Sequence, residues 1–128
     1  MKPSTQPWVD KAEEDWDVAQ SLERKRKRPA YNAVCFFAQQ CAEKYLKARL
    51  EEAGIPFKRT HDLEALLKLA LSVEPTWNVL LPDAQFLSDF AVDYRYPGAS
   101  ATKTDAVQAI KSCRHMRKAI RPSLGLPV

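Results

Sequence analysis

An arginine set between tyrosines, a pair of histidines and two basic clusters are the residues of this chain whose chemistry reaches beyond packing. Arg95 lies between Tyr94 and Tyr96 in DYRYPG. Its guanidinium offers a planar fork of donors suited to a phosphate, and a neighbouring phenol ring can stack on a base. The competing reading pins Arg95 to Asp93 or to a helix C-terminus, with both tyrosines packed on the fold. His61, in THDL, can present its imidazole to a phosphate near the free N–H groups of a helix start, or can bond a nearby carbonyl as part of the turn. Arg24, Lys25, Arg26, Lys27 and Arg28 form an unbroken basic run, and Lys111, Arg114, Arg117, Lys118 and Arg121 follow the last acidic residue, Asp105. Such patches attract phosphates, although cations also suit the negative ends of helices.

Other chemistries find little support. Cys35 and Cys41 fall about 120° apart around one helix and Cys113 and His115 point to nearly opposite sides of another, so neither pair closes a tetrahedral metal shell. Neither a metal nor a cofactor is expected, and no Gly-rich phosphate loop or local Ser-His-Asp arrangement occurs. An odd number of cysteines in apolar contexts argues against a disulfide framework and for a reducing compartment. No apolar run approaches a membrane span, and the N-terminus lacks the apolar centre of a signal peptide, so a cytoplasmic protein with no membrane partner is expected.

The elements that must position these residues are helical. With 128 residues, 45% of them hydrophobic, the chain suffices for one core, and we expect a single domain over 1–128 with an ordered core from about 8 to 121. Few glycines and scattered β-branched residues favour helices over a sheet. The first helix is expected from Trp8 to Arg26, broken by Pro29, and the second from Ala30 to Ala53, stopped by Gly54. The third reads HDLEALLKLAL with Thr60 as N-cap and Leu63, Leu66, Leu67 and Ala70 on one face. A fourth spans Pro82 to Val92, with Trp77 and Leu80 adding a turn ahead of it. A fifth opens at Thr102 with Asp105 three residues on and continues to Pro122. The expected fold class is all-α, an up-and-down antiparallel bundle of about five helices with a four-helix-bundle-like core.

The second helix carries two stripes. Val34, Phe37, Cys41, Tyr45 and Ala48 project to one side, the expected core face. Asn32, Phe36, Gln39, Glu43, Leu46 and Leu50 cluster opposite, mixing large apolar and hydrogen-bonding groups, whereas Gln40 sits beside Lys44 and Lys47 on a flank. Such a mixture implies a second packed surface: a copy of the protein meeting Phe36, Gln39, Glu43 and Leu46, or the first helix, or a seam within the bundle where Gln39 and Asn32 bond backbone groups.

Three strings in this order resemble the HEPN domain family, named for higher eukaryotes and prokaryotes nucleotide-binding. The first comprises Asn32-Ala33-Val34, Ala38-Gln39-Gln40, Glu43-Lys44 and Leu46-Lys47-Ala48; the others are Thr60-His61-Asp62-Leu63 and Arg95-Tyr96-Pro97. The resemblance implies a helical bundle that usually dimerises and that in prokaryotes is often paired, as toxin and antitoxin, with a minimal nucleotidyltransferase. It also implies kinship with metal-independent ribonucleases whose signature is an Arg followed, after four to six residues, by a His. This sequence departs there. Arg59 is too close to His61, Arg49 too distant, Arg114 adjoins His115, and after Arg95 the positions Ala99 to Ala101 hold no histidine. The expected function is therefore a domain that binds a nucleotide or RNA phosphate through Arg95, Tyr94, Tyr96 and His61, acting with a nucleotidyltransferase partner. Arg24 to Arg28 with Arg114, Arg117 and Lys118 would form a basic patch. The alternative is an RNA-cleaving toxin with a degenerate active site; no catalytic residue is assigned.

Overall fold

The structure is a computed structural model of the 128-residue chain, and it describes residues 1–91, 97–98 and 100–128. Among these, five α-helices follow one another with no strand: α1 (Gln6–Glu23), α2 (Tyr31–Ala53), α3 (Leu63–Ala70), α4 (Leu81–Ser88) and α5 (Lys103–Ser123), with a 3₁₀ turn over Pro75–Leu80 leading into α4. The chain is all-helical, as its periodicity requires. None of these helices is long and apolar enough to cross a membrane.

Local signals explain most boundaries. Gly54 closes α2 in the left-handed region at φ 70°, where its amide reaches the Glu51 carbonyl and the Ile55 amide reaches that of Leu50. At the start of α5, the Thr102 hydroxyl accepts from the Asp105 amide and the Asp105 carboxylate accepts from the Thr102 amide, the reciprocal cap expected from the sequence. At α3 the cap is Asp62, not Thr60. Asp62 Oδ1 accepts from the amides of Glu64 and Ala65, while Thr60 Oγ1 accepts from the Asp62 amide and braces the turn before it. The first helix ends at Glu23 rather than Arg26, which leaves most of the basic run in the connection to α2. The fourth ends at Ser88, short of the expected Val92, a residue outside those described.

α2 is the central element, packed against each of the other four helices. Contacts fix its neighbours' directions. Glu52 receives Thr5, Lys44 pairs with Asp15 and Tyr45 bonds Glu13, so α1 and α2 are antiparallel. The segment after Gly54 then travels back along α2, bringing His61 beside Glu43, and α3 leads from there to Glu74, which pairs with Arg49. Burial follows: Val34, Cys41, Tyr45 and Ala48 are enclosed as expected, and so are Ala42, Leu46 and Leu50 on the other side. A helix enclosed on both sides belongs in the middle of its domain.

An ionic knot joins α1, α2 and α5. Glu13 receives the Tyr45 hydroxyl, and Arg117 donates to it through Nε at 2.8 Å and Nη2 at 2.5 Å. Arg121 Nη1 donates to Tyr45 Oη at 2.9 Å. The Trp16 ring lies under the guanidinium groups of Arg117 and Arg114, at 5.4 and 5.6 Å from its centroid. Arg117 is thus committed to the bundle and Arg114 rests on an indole, so of the C-terminal basic-patch residues only Lys118 projects freely among the described residues. Burial pushes the Glu13 carboxyl up, but hydrogen bonds from Arg117 and Tyr45, with the charges of Arg117 and Arg121, outweigh it and hold the group below the usual carboxylate range. A depressed folded-state pKa adds stability that is present above the unfolded value of about 4.3 and is lost as pH falls through the folded value. We expect the melting-temperature difference between wild type and Glu13→Gln to be constant from neutral pH to about 5 and to shrink below about 4. A difference that stays fixed into the acid range would show that this carboxylate carries no pH-linked stability.

Candidate functional site

The polar stripe of α2 converges on one carboxylate. Gln39, Glu43 and Lys47 follow at four-residue spacing and therefore share a face. Glu43 is only 3% exposed, yet each of its oxygens has partners. Lys47 Nζ donates to Oε2 at 3.1 Å, Gln39 Nε2 to Oε1 at 3.1 Å, and His61 Nδ1 to Oε1 at 2.7 Å. Gln39 Nε2 also reaches the His61 carbonyl at 3.3 Å, and Gln40 Nε2 donates to Gln39 Oε1 at 2.6 Å. Burying a carboxylate among three donors satisfies it and locks their positions.

His61 is the exposed end of this network. Its side chain is 60% accessible while the carboxylate behind it is 4% accessible. A carboxylate accepts, so Nδ1 is the donor in this pair, which leaves Nε2 to accept a proton when the ring is neutral or to donate one when it is protonated. The imidazole lines a cleft of about 360 Å³ together with Trp8, Lys47, Arg59 and Thr60. Trp8 is fixed by an edge contact to Phe57, with ring centroids 5.9 Å apart, and lies 5.6 Å from Lys47 Nζ. The cleft thus offers an aromatic wall, a compact ammonium, a planar guanidinium and a histidine oriented by a buried acid. That combination can hold a phosphate and can move a proton at a neighbouring hydroxyl.

The sequence-derived site residues divide. His61 is placed at this cleft. Arg95, Tyr94 and Tyr96 lie outside the described residues, although Ser88 Oγ accepts from the Leu63 amide, so the chain leading toward them departs beside the start of α3. The assignment of Gln39, Glu43 and Leu46 to a face shared with a second copy requires correction. These residues are 0%, 3% and 0% exposed within the single chain, because the segment from Ile55 to His61 and α3 cover that side. Phe36 alone of the four is half-exposed, with its ring edge-on to Phe37 at 5.2 Å. Asn32, likewise, bonds backbone, accepting from the Ala101 amide at 2.5 Å. Lys47, Arg59 and Trp8 were not singled out from sequence; the Glu43/Lys47 spacing was the available signal.

The second histidine, His115, pairs with Asp83 at 3.3 Å between α4 and α5. All three cysteines are buried and free, and burial pushes the Cys35 thiol up to about 12. Among the described residues no three His, Cys, Asp or Glu side chains come together as metal ligands.

The fold and cleft define a small helical-bundle domain with a polar site beside its central helix. The HEPN domain model matches residues 5–122, and the chain belongs to that family. It is 28% identical over 134 aligned positions to the protein named "Putative toxin MJ1304" from Methanocaldococcus jannaschii, covering 91% of this chain and 86% of that one. Its fold is similar to that of ST0689, an archaeal HEPN homologue, with a TM-score of 0.75 at 29% identity over 96% of this chain and 98% of that one. TT1696 from Thermus thermophilus shares the fold at a TM-score of 0.80 and 20% identity, over 93% and 97% of the two chains.

Proposed function

We propose that the protein is a toxin-like HEPN domain that binds the phosphate of a nucleotide or RNA at the His61 cleft. The observation that carries this reading is the exposed imidazole of His61 anchored by buried Glu43 beside Lys47 and Arg59. Family membership and the similarity to a protein named as a toxin support the toxin-like part. Arg95 is assigned the second fork on the phosphate and Tyr94 and Tyr96 the stacking faces, on their sequence chemistry. A nucleotidyltransferase partner belongs to the same reading, as does pairing of two copies, through a surface other than the enclosed Gln39–Glu43–Leu46 face.

One observation favours RNA cleavage as a second reading: a histidine held at Nδ1 by a buried carboxylate is built to take a proton at Nε2. The 2′-oxygen would attack phosphorus as His61 accepts its proton, the P–O5′ bond would break with the 5′-oxygen taking a proton from water, and the products would be a 2′,3′-cyclic phosphate and a 5′-hydroxyl, after which the protonated imidazole returns its proton to solvent. Titrating short RNAs into wild type, His61→Ala and Arg95→Ala, with cleavage followed in parallel, tests both. Each substitution is expected to weaken binding about ten-fold or more through loss of a charge-assisted contact. If RNA is cut, His61→Ala should slow cutting by about 10²- to 10⁴-fold. Equal affinities for all three proteins would refute the site; bound but intact RNA would leave a binding domain.

A further inference from the structure

A second groove lies at the far end of α1. It is about 410 Å³, within the range that holds one small ligand, and its lining includes Arg24, Lys25, Arg26, Lys103 and Tyr31. The groove forms because α1 stops at Glu23 and the basic run crosses toward α2 beside the first turn of α5. Trp8, on the His61 cleft, and Glu23 stand at opposite ends of α1, roughly 22 Å apart at 1.5 Å per residue, so the two cavities are separate.

Its lining concentrates charge: Arg24, Lys25, Arg26 and Lys103 share one concave surface. Five cations of the bundle are committed to acids, Lys44 to Asp15, Lys47 to Glu43, Arg49 to Glu74, and Arg117 and Arg121 to Glu13, whereas the groove gathers several that are not. Among the described residues Arg24, Lys25, Arg26 and Lys103 have no ion pair, and all are exposed. Glu23 is the single acid on the wall. Four uncompensated cations around a concave surface focus a positive potential there. Tyr31, half-buried with its ring partly packed on the core, supplies a rigid aromatic wall, and Val107, 53% exposed, an apolar one. Unpaired cations beside a fixed ring form the arrangement that binds a phosphate together with its base.

We propose that this groove is a second binding site, independent of the His61 cleft, that takes one nucleotide unit, either free or within single-stranded nucleic acid. Phosphate oxygens face Arg24, Arg26 and Lys103, and the base lies against Tyr31.

The test is calorimetric titration of adenosine triphosphate and, separately, of a short single-stranded oligonucleotide into the full chain. The comparison is between wild type, Arg26→Ala/Lys103→Ala, which removes two groove cations, and Lys27→Ala/Lys118→Ala, which removes the same charge outside the groove. All four residues are exposed, so the variants should melt as the wild type does. The groove variant is expected to bind roughly a hundred-fold more weakly, about ten-fold per lost charged contact, and the control pair within a few-fold of wild type. His61→Ala should leave the groove-dependent loss intact. Loss for both probes supports a pocket for a free nucleotide; loss for the oligonucleotide alone supports the strand as source. Equal weakening by the two pairs, or binding of neither probe to wild type, would overturn the proposal.

Discussion

Glu43→Ala is expected to destabilise the fold by about 3–5 kcal/mol, the cost of leaving an unpaired charge where a buried pair stood. Glu43 and Lys47 have side chains 4% and 8% exposed, and both lie in the seam between α2 and the segment carrying His61. Removing the carboxylate leaves the Lys47 ammonium beside the Trp8 ring without its ion-pair partner, and also strips a partner from Gln39 and from His61. Lys47→Ala should cost less, since Gln39 and His61 still donate to the carboxylate that remains. The double replacement Glu43→Leu/Lys47→Met should recover much of the loss, because apolar groups of similar volume need no pairing. Denaturant midpoints at unchanged slope measure each difference. A loss below about 1 kcal/mol for Glu43→Ala would mean that the pair behaves as a solvated surface bridge.

The second large effect is at Leu46. Because its side chain is fully enclosed within one chain, Leu46→Ala should cost about 2–5 kcal/mol, a large part of the 5–15 kcal/mol that holds a domain of this size together. Leu46→Lys should not yield a folded protein at all, since an ammonium there would have no partner. This outcome separates two geometries of the same helix. Were Leu46 on a surface shared with a second copy, the lysine variant would be a stable monomer with a cooperative melt. Light scattering and thermal melts on both variants distinguish them.

Much of the architecture was legible because its determinants are local. Gly54 and the Thr102–Asp105 pair end or begin helices by chemistry that acts within one turn, and these boundaries fall where the sequence places them to within a residue or two, whereas α1 stops three residues ahead of the expected Arg26. Asp62 displaced Thr60 as the cap of α3 for an equally local reason, but two capping residues in succession are decided by which oxygen reaches two amides, a matter of fine geometry. The site was only half legible. Periodicity gives the angle at which Gln39, Glu43 and Leu46 leave α2, and that angle is correct; it carries no information on what covers them. The cover is a nine-residue return, residues 54–62, whose path depends on contacts distant in sequence. Lys47, placed by its angle on a flank with Gln40 and Lys44, is buried because Glu43 compensates its charge one turn away.

The order in which the elements join has a kinetic side. The long helices α1, α2 and α5 are laced together by Glu13, Tyr45, Arg117 and Arg121, whereas α3, the 3₁₀ turn and α4 are short pieces inserted between α2 and α5 and held to α2 at Glu43 and Arg49. Such units are expected to open at different free-energy costs: amide protons of α2 should exchange with solvent only when the whole domain unfolds, and those of α3 and α4 through a smaller, more frequent opening. His61 stands on the border between the two, chemically attached to the slow part and covalently part of the fast one. A ligand that grips His61 and Lys47 at once would staple that border shut, so occupancy of the cleft would be written as slowed exchange across the insert rather than as any displacement of the long helices.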